Sequence, residues 1–115
     1  MIDFDRDTAL VGKVLEAIDV RAKVALMNLA NKNTPHYKRF SVRFEDLMRK
    51  ALEEKGDVRD IHPVVERDES GPPGVNNVDL LQETTQLERL ALLQELFTKR
   101  ASGYFTTLNK AIFGR

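Results

Sequence analysis

Residues 79–112 read DLLQETTQLERLALLQELFTKRASGYFTTLNKAI, and this stretch decides the fold class. Its apolar residues recur at alternating spacings of three and four, which places them on one face of a helix. The pattern therefore predicts one long amphipathic helix with a heptad seam. The members of this seam are Leu87, Leu90, Gln94, Phe97, Ala101, Tyr104, Leu108 and Ala111.

The charges at the two ends of this stretch also favour a helix. Asp79 and Glu83 stand near its start and Lys110 near its end, which complements the helix dipole. Asp79 followed by Gln82 resembles a capping box with Asp in place of Ser or Thr. We therefore expect the helix to begin at about Asp79.

A second long helix is predicted over residues 5–32. Because proline disfavours helical backbone at the residue before it, Pro35 ends this helix. Each long helix needs an apolar partner, and the other helix is the nearest, so we expect an antiparallel, coiled-coil-like pair. The apolar residues of the first helix are Val11, Val14, Leu15, Ile18, Ala22, Ala25 and Leu29.

Residues 36–77 form a short insert of different character. Three apolar residues alternate with polar ones, which predicts a strand with one apolar face, and residues 45–55 predict a brief amphipathic helix that Gly56 ends. Pro63 restricts any strand beside it to a sheet edge. The alternating apolar residues are Phe40, Val42 and Phe44.

The stretch 66–77 contains Ser-Gly-Pro-Pro-Gly and predicts a flexible, solvated linker. The chain is therefore expected to be mainly α. One domain is built from both ends, with residues 1–35 and 78–115 as its core and residues 36–77 as a variable insert and linker.

Composition excludes several classes of function. Lys and Arg total 18 and Asp and Glu total 18, so no net charge draws the chain to nucleic acid or anionic lipid. There is no cysteine, which removes disulfides and thiolate chemistry. No apolar run approaches the ~20 residues that span a bilayer. The acidic N-terminus does not resemble a cleaved signal peptide.

No catalytic, cofactor or metal site is predicted. The two histidines, His36 and His62, lack metal-ligand spacing, and the carboxylate pairs lie in polar stretches without apolar walls to perturb a pKa. The run 37–44 interleaves basic and aromatic residues as single-strand binders do, but Glu45 and Asp46 follow at once. We therefore expect neither an enzyme nor a nucleic-acid-binding protein.

The end of the first predicted helix carries a motif. It resembles the signature of flagellar axial proteins, in which Asn-Leu-Ala-Asn leads into Thr-Pro-Gly-Tyr. The short length and the downstream Phe-Glu-Asp-Leu at 44–47 resemble the proximal-rod type of basal-body rod protein, the FlgB family. His36 stands where that family usually has glycine. The motif residues are Asn28, Leu29, Ala30, Asn31, Thr34, Pro35 and Tyr37.

The resemblance implies a structural subunit of the rod, the hollow drive shaft that transmits torque from the membrane ring to hook and filament. Implied partners are further copies, other rod proteins, the membrane-ring protein with its adaptor, and the flagellar export apparatus. The implied location is the basal body in the periplasmic space, reached without a cleaved signal peptide. Independently of the resemblance, four apolar residues lie off the seam of the C-terminal helix and are candidates for contacts between subunits: Leu92, Leu93, Leu96 and Ile112.

The residues alone also fit another class, a soluble helical binding module whose two helices present a groove to a partner helix. The rod hypothesis expects weak terminal helices before assembly, whereas the module hypothesis expects a cooperatively folded monomer.

Overall fold

The computed structural model describes the backbone of residues 4–113 and the side chains of residues 8–100, 102, 103, 106 and 110. The chain is mainly helical, as the sequence predicts. In chain order the elements are α1 (Phe4–Ala30), β1 (Phe40–Arg43), α2 (Glu45–Glu53), a 3-10 turn (Val58–Asp60), β2 (Val64–Arg67) and α3 (Leu80–Phe113).

The two long helices contact each other, and the last turns of α1 lie against the first turns of α3. The molecule is elongated, with extents of 60 × 31 × 14 Å. Asp79 caps α3, because its Oδ1 accepts hydrogen bonds from the backbone N–H groups of Leu81 and Gln82. In the part of the chain that the structure describes, no helix is long and apolar enough to cross a membrane.

A second part of the α1 surface packs on the insert. Ala17 of α1 is buried with three residues of the insert. Phe44 immediately precedes α2, Met48 lies within α2 and Val58 begins the 3-10 turn. Burying these apolar side chains fixes the insert to the helix. The partly buried residues around this cluster are Ala9, Leu10, Val14 and Ile61.

The predicted strand is shorter than its alternating pattern indicates. β1 pairs antiparallel with β2, from Phe40 opposite Arg67 to Arg43 opposite Val64. Phe44 lies outside the strand, because its carbonyl oxygen accepts a hydrogen bond from Met48 N at 2.9 Å and so begins α2. Phe44 is therefore buried in the cluster beside Ala17 and does not extend the face of β1.

The segment 66–77, predicted as a flexible, solvated linker, begins inside a strand and makes hydrogen bonds to the rest of the chain, and its residues 69–75 are exposed. Residues 66 and 67 belong to β2, and the loop after them is held by buried or half-buried side chains. Lys38 Nζ donates to the carbonyl oxygens of Ser70 and Pro72 at 3.0 and 2.9 Å. Asn76 Nδ2 donates to the carbonyl oxygens of Asn31 and Thr34. Composition does not reveal these contacts, because the donors lie elsewhere in the chain or look like ordinary loop residues.

Within the described backbone, two residues with side chains take the left-handed conformation that favours glycine. Lys55, with φ 56°, follows α2, where Gly56 N donates to the carbonyl oxygen of Ala51 at 2.8 Å. His36, with φ 65°, follows α1, where the resembled family usually has glycine. Its Nδ1 donates to the carbonyl oxygen of Gly74 at 2.6 Å, so this histidine joins the turn to the loop.

We expect Lys55→Gly to raise the free energy of unfolding by about 0.5–1 kcal/mol, because glycine adopts positive φ without steric cost. His36→Gly relieves the same cost but loses the hydrogen bond to Gly74, so its net change should be close to zero. Urea denaturation of the two variants and the parent chain measures both values. An equal gain in the two variants would show that the His36 hydrogen bond adds no stability.

Candidate functional site: the polar clamp between the long helices

Asn28, near the end of α1, is buried with 0% of its surface exposed. Its Oδ1 accepts from Phe40 N at 2.9 Å, and its Nδ2 donates to the carbonyl oxygen of Phe40 at 2.9 Å. The carboxamide thus pairs with the start of β1 as a neighbouring strand would. Oδ1 also accepts from the Tyr37 hydroxyl at 3.2 Å, and Nδ2 donates to Glu83 Oε1 at 3.3 Å.

Asparagine suits this position because its short side chain carries a donor and an acceptor side by side. An aspartate would lack the donor to the carbonyl oxygen of Phe40, and a leucine would leave both backbone groups unpaired. The same side chain reaches Glu83 in the first turns of α3, so one residue joins α1, β1 and α3.

Glu83 is also 0% exposed, and its carboxylate pairs with an arginine. Arg39 Nε donates to Glu83 Oε1 at 2.6 Å, and Arg39 Nη1 donates to Asp68 Oδ2 at 3.0 Å. Hydrogen bonds from the Ser70 side chain and backbone, and then from Arg39, lower the pKa of Asp68 from 3.8 to about 2. One guanidinium is therefore shared by two carboxylates.

Asn77 closes the network from the loop before α3. Its Oδ1 accepts from Arg39 N at 2.6 Å, and its Nδ2 donates to the carbonyl oxygen of Asp68 at 2.6 Å. The backbone pairs in the same place, because Asp68 N donates to the carbonyl oxygen of Arg39 at 2.8 Å. We call the set Asn28, Arg39, Asp68, Asn77 and Glu83 the polar clamp.

Aromatic side chains accompany the polar clamp. The rings of Tyr37 and Phe40 meet edge to face at 6.2 Å. The guanidinium of Arg67 lies 4.4 Å from the centre of the Phe40 ring, a cation–π geometry. These contacts hold the segment from residue 37 to residue 40 against β2.

The motif residues have separate roles in the structure. Asn28 and Tyr37 belong to the network described above, whereas Asn31 Nδ2 donates to the carbonyl oxygen of Met27 and ends α1. Thr34 Oγ1 donates to Asn31 Oδ1 at 3.1 Å. Leu29 is half-buried, and Ala30 and Pro35 are exposed.

The residues of the predicted seam differ in burial. Ile18, Ala25 and Leu90 are buried. Val14, Leu29, Leu87 and Phe97 are half-buried, and Gln94 is exposed. Leu92 and Leu96 are exposed, at 64% and 63%, and Leu93 is half-buried. The side chains of Ala101, Tyr104, Leu108, Ala111 and Ile112 lie outside the described residues.

Sequence reasoning missed the clamp roles of Arg39, Asp68, Asn77 and Glu83. A signal was present for Glu83, since it precedes Leu87 by four residues and Leu90 by seven and so falls on the seam face. A charged residue on an apolar helix face predicts a buried partner. The loop residues carried no comparable signal.

Beside the clamp, α1, β1 and α3 border a cleft of about 430 Å³. On one side of it the Arg21 guanidinium binds the Glu45 carboxylate through two nitrogens and donates to the carbonyl oxygen of Val42. Hydrogen bonding to Arg21 lowers the pKa of Glu45. Among the described residues, no group of three or more His, Cys, Asp or Glu could hold a metal ion.

Three relatives align with nearly the whole chain. A flagellar basal body rod protein FlgB from Borreliella burgdorferi is 27% identical over 131 residues, covering 95% of this chain and 97% of the relative. Another from Bacillus subtilis is 28% identical and covers 87% and 88%. A third from Aquifex aeolicus is 32% identical over 123 residues and covers 99% and 98%. No family model matches the chain.

The relatives define the class of protein as flagellar basal body rod proteins, which are structural components of a motility organelle. At 32% identity over almost the full length of both proteins, the chain belongs to the FlgB family. The family that the motif at 28–37 resembles is thereby confirmed.

Proposed function

We propose that this chain is a structural subunit of the flagellar rod, the hollow shaft that transmits torque from the membrane ring to hook and filament. The observation that carries the proposal is the alignment with three FlgB proteins over 87–99% of the chain. The clamp supports it, since its buried polar groups are bound to one another and serve to join elements.

In this proposal α1 and α3 form an antiparallel, coiled-coil-like pair in the wall of the shaft. The contact between Asn28 and Glu83 supports an antiparallel arrangement of the two helices, because it joins the end of α1 to the start of α3. The seam would continue along α3 to residues 101, 104, 108 and 111. The core is assigned to residues 1–35 and 78–115, with residues 36–77 as the insert.

A second face of α3 would contact neighbouring subunits. Leu81, Leu92 and Leu96 are 76%, 64% and 63% exposed. At 100° per residue, spacings of 11 and 4 place the three side chains within about 60° of one another around the helix. A contact between this face and a different face of the next copy builds a helical filament when the rotation between copies does not close into a ring.

The proposed partners are further copies, other rod proteins, the membrane-ring protein with its adaptor, and the flagellar export apparatus. The proposed location is the rod within the periplasmic space. Family membership supports these proposals, and so do the exposed leucines of α3, since exposed apolar patches often mark contacts with other proteins.

The test is deletion of the gene for this chain in its source organism, followed by complementation with a tagged copy. We expect the deletion to abolish swimming and complete basal bodies, and the tagged copy to restore both and to appear in purified basal bodies. The matched control is a tagged chain that lacks residues 80–113, which should not restore either. Normal rods in the deletion strain would overturn the proposal.

A further inference from the structure

The polar clamp contains an unused hydrogen-bond acceptor on Glu83, one of the residues that line the cleft. Glu83 Oε1 accepts from Arg39 and Asn28, but Glu83 Oε2 is the buried side-chain polar atom that has no hydrogen-bond partner among the described residues. A buried carboxylate oxygen without a donor costs on the order of 1–3 kcal/mol. Such a cost is explained when a partner supplies the donor after assembly.

The charges of the clamp indicate what kind of donor fits. Arg39 carries one positive charge and pairs with two carboxylates, Glu83 and Asp68, so neither is fully neutralised. A cationic donor at Glu83 Oε2 would neutralise the remaining negative charge of the clamp through a charge-assisted hydrogen bond. Arg89 also lines the cleft, but it is exposed, so solvent screens its charge.

The other carboxylate in the cleft is not available. Glu45 is already bound by two nitrogens of Arg21. One free carboxylate oxygen suits a single side chain better than a metal ion, because Mg²⁺ and Ca²⁺ need several oxygen ligands. The cleft volume of about 430 Å³ can admit a long side chain. Its lining includes Arg21, Ala25, Val42, Gln86, Leu90 and Leu93.

We propose that this cleft receives a Lys or Arg side chain of the neighbouring rod subunit, which donates to Glu83 Oε2. The inference rests on the proposed function and names the chemistry of one contact within it. The cleft lies between the two long helices and adjoins α3 through Leu93, next to the exposed Leu92. The incoming side chain would therefore reach Glu83 from a subunit that also covers the leucine face.

Glu83→Gln tests the acceptor. Its remaining oxygen can still accept from Arg39 and Asn28, while its amide nitrogen replaces the free acceptor by a donor. We expect a circular dichroism spectrum equal to that of the parent chain and at least a tenfold lower yield of basal bodies. Glu53→Gln is the matched control, because it makes the same change at an exposed carboxylate of α2 that neither belongs to the polar clamp nor lines the cleft. Equal yields for the two variants would overturn the inference.

A second measurement does not depend on that substitution. Gln86 lines the cleft, so a photo-crosslinking amino acid can be placed there. In purified basal bodies it should crosslink to a peptide of a neighbouring rod protein, and that peptide should contain a Lys or Arg next to the crosslinked position. The same probe at the exposed Lys50 of α2 is the control. No crosslink from Gln86, or one to a peptide without a basic residue, would overturn the inference. If the tagged chain is absent from basal bodies, the proposed function itself fails.

Discussion

Asn28→Ala should lower the free energy of unfolding by roughly 3 kcal/mol, because it leaves several buried groups unpaired at once. The backbone N–H and C=O of Phe40 lose their partner, and so does the Tyr37 hydroxyl. Urea denaturation of the monomer, followed by circular dichroism at 222 nm, a standard helix signal, measures the loss.

Asn31→Ala is the matched control for this substitution. It removes the same side chain three residues along the same motif, where the carboxamide makes exposed hydrogen bonds to Met27 and Thr34. We expect a loss below about 1 kcal/mol there. If both variants lose the same amount, Asn28 acts as an ordinary helix terminator and the polar clamp contributes no special stability.

Leu90→Asp should lower the free energy of unfolding by about 3–5 kcal/mol and abolish rod assembly, because it places an unpaired charge where Leu90 is 5% exposed. Denaturation of the monomer and the yield of basal bodies give the two readings. The loss of assembly follows from loss of the contact between α1 and α3.

Leu92→Asp changes a residue two positions away on the same helix. It distinguishes the contact between α1 and α3 within one chain from the proposed contact between subunits. Leu92 is 64% exposed, so the monomer should keep its stability within about 0.5 kcal/mol. We expect basal-body yield to fall nevertheless, because a charge would lie in the proposed contact between subunits. Normal yield with Leu92→Asp would remove this face of α3 from the model of the rod.

The long helices could be predicted from the sequence because periodicity and end signals agree there. Spacings of three and four mark α1 and α3, and Asp79 both caps α3 and precedes it in the expected place. The pairing in a coiled coil stays a prediction. The burial of Ile18, Ala25 and Leu90 is compatible with it, and the side chains beyond residue 100 that would extend it are mostly outside the described ones.

The insert and the clamp were harder to predict, because their contacts are polar and distant in sequence. Lys38 and Arg39 look like solvated surface residues, yet both are buried, since each finds oxygen acceptors on the loop after β2. The loop itself looks flexible from its glycines and prolines. No local pattern tells Asn28, a clamp residue, from Asn31, a helix end.

The contact between Asn28 and Glu83 joins positions 55 residues apart, and this separation has a consequence for the order of folding. Local helix can form at any time, but the end of α1 cannot acquire its buried partner until the chain has supplied Glu83. Closing so long a loop costs conformational entropy before the contact contributes any stability. A chain still being synthesised or threaded through a narrow passage therefore remains without its central junction until its last third is free.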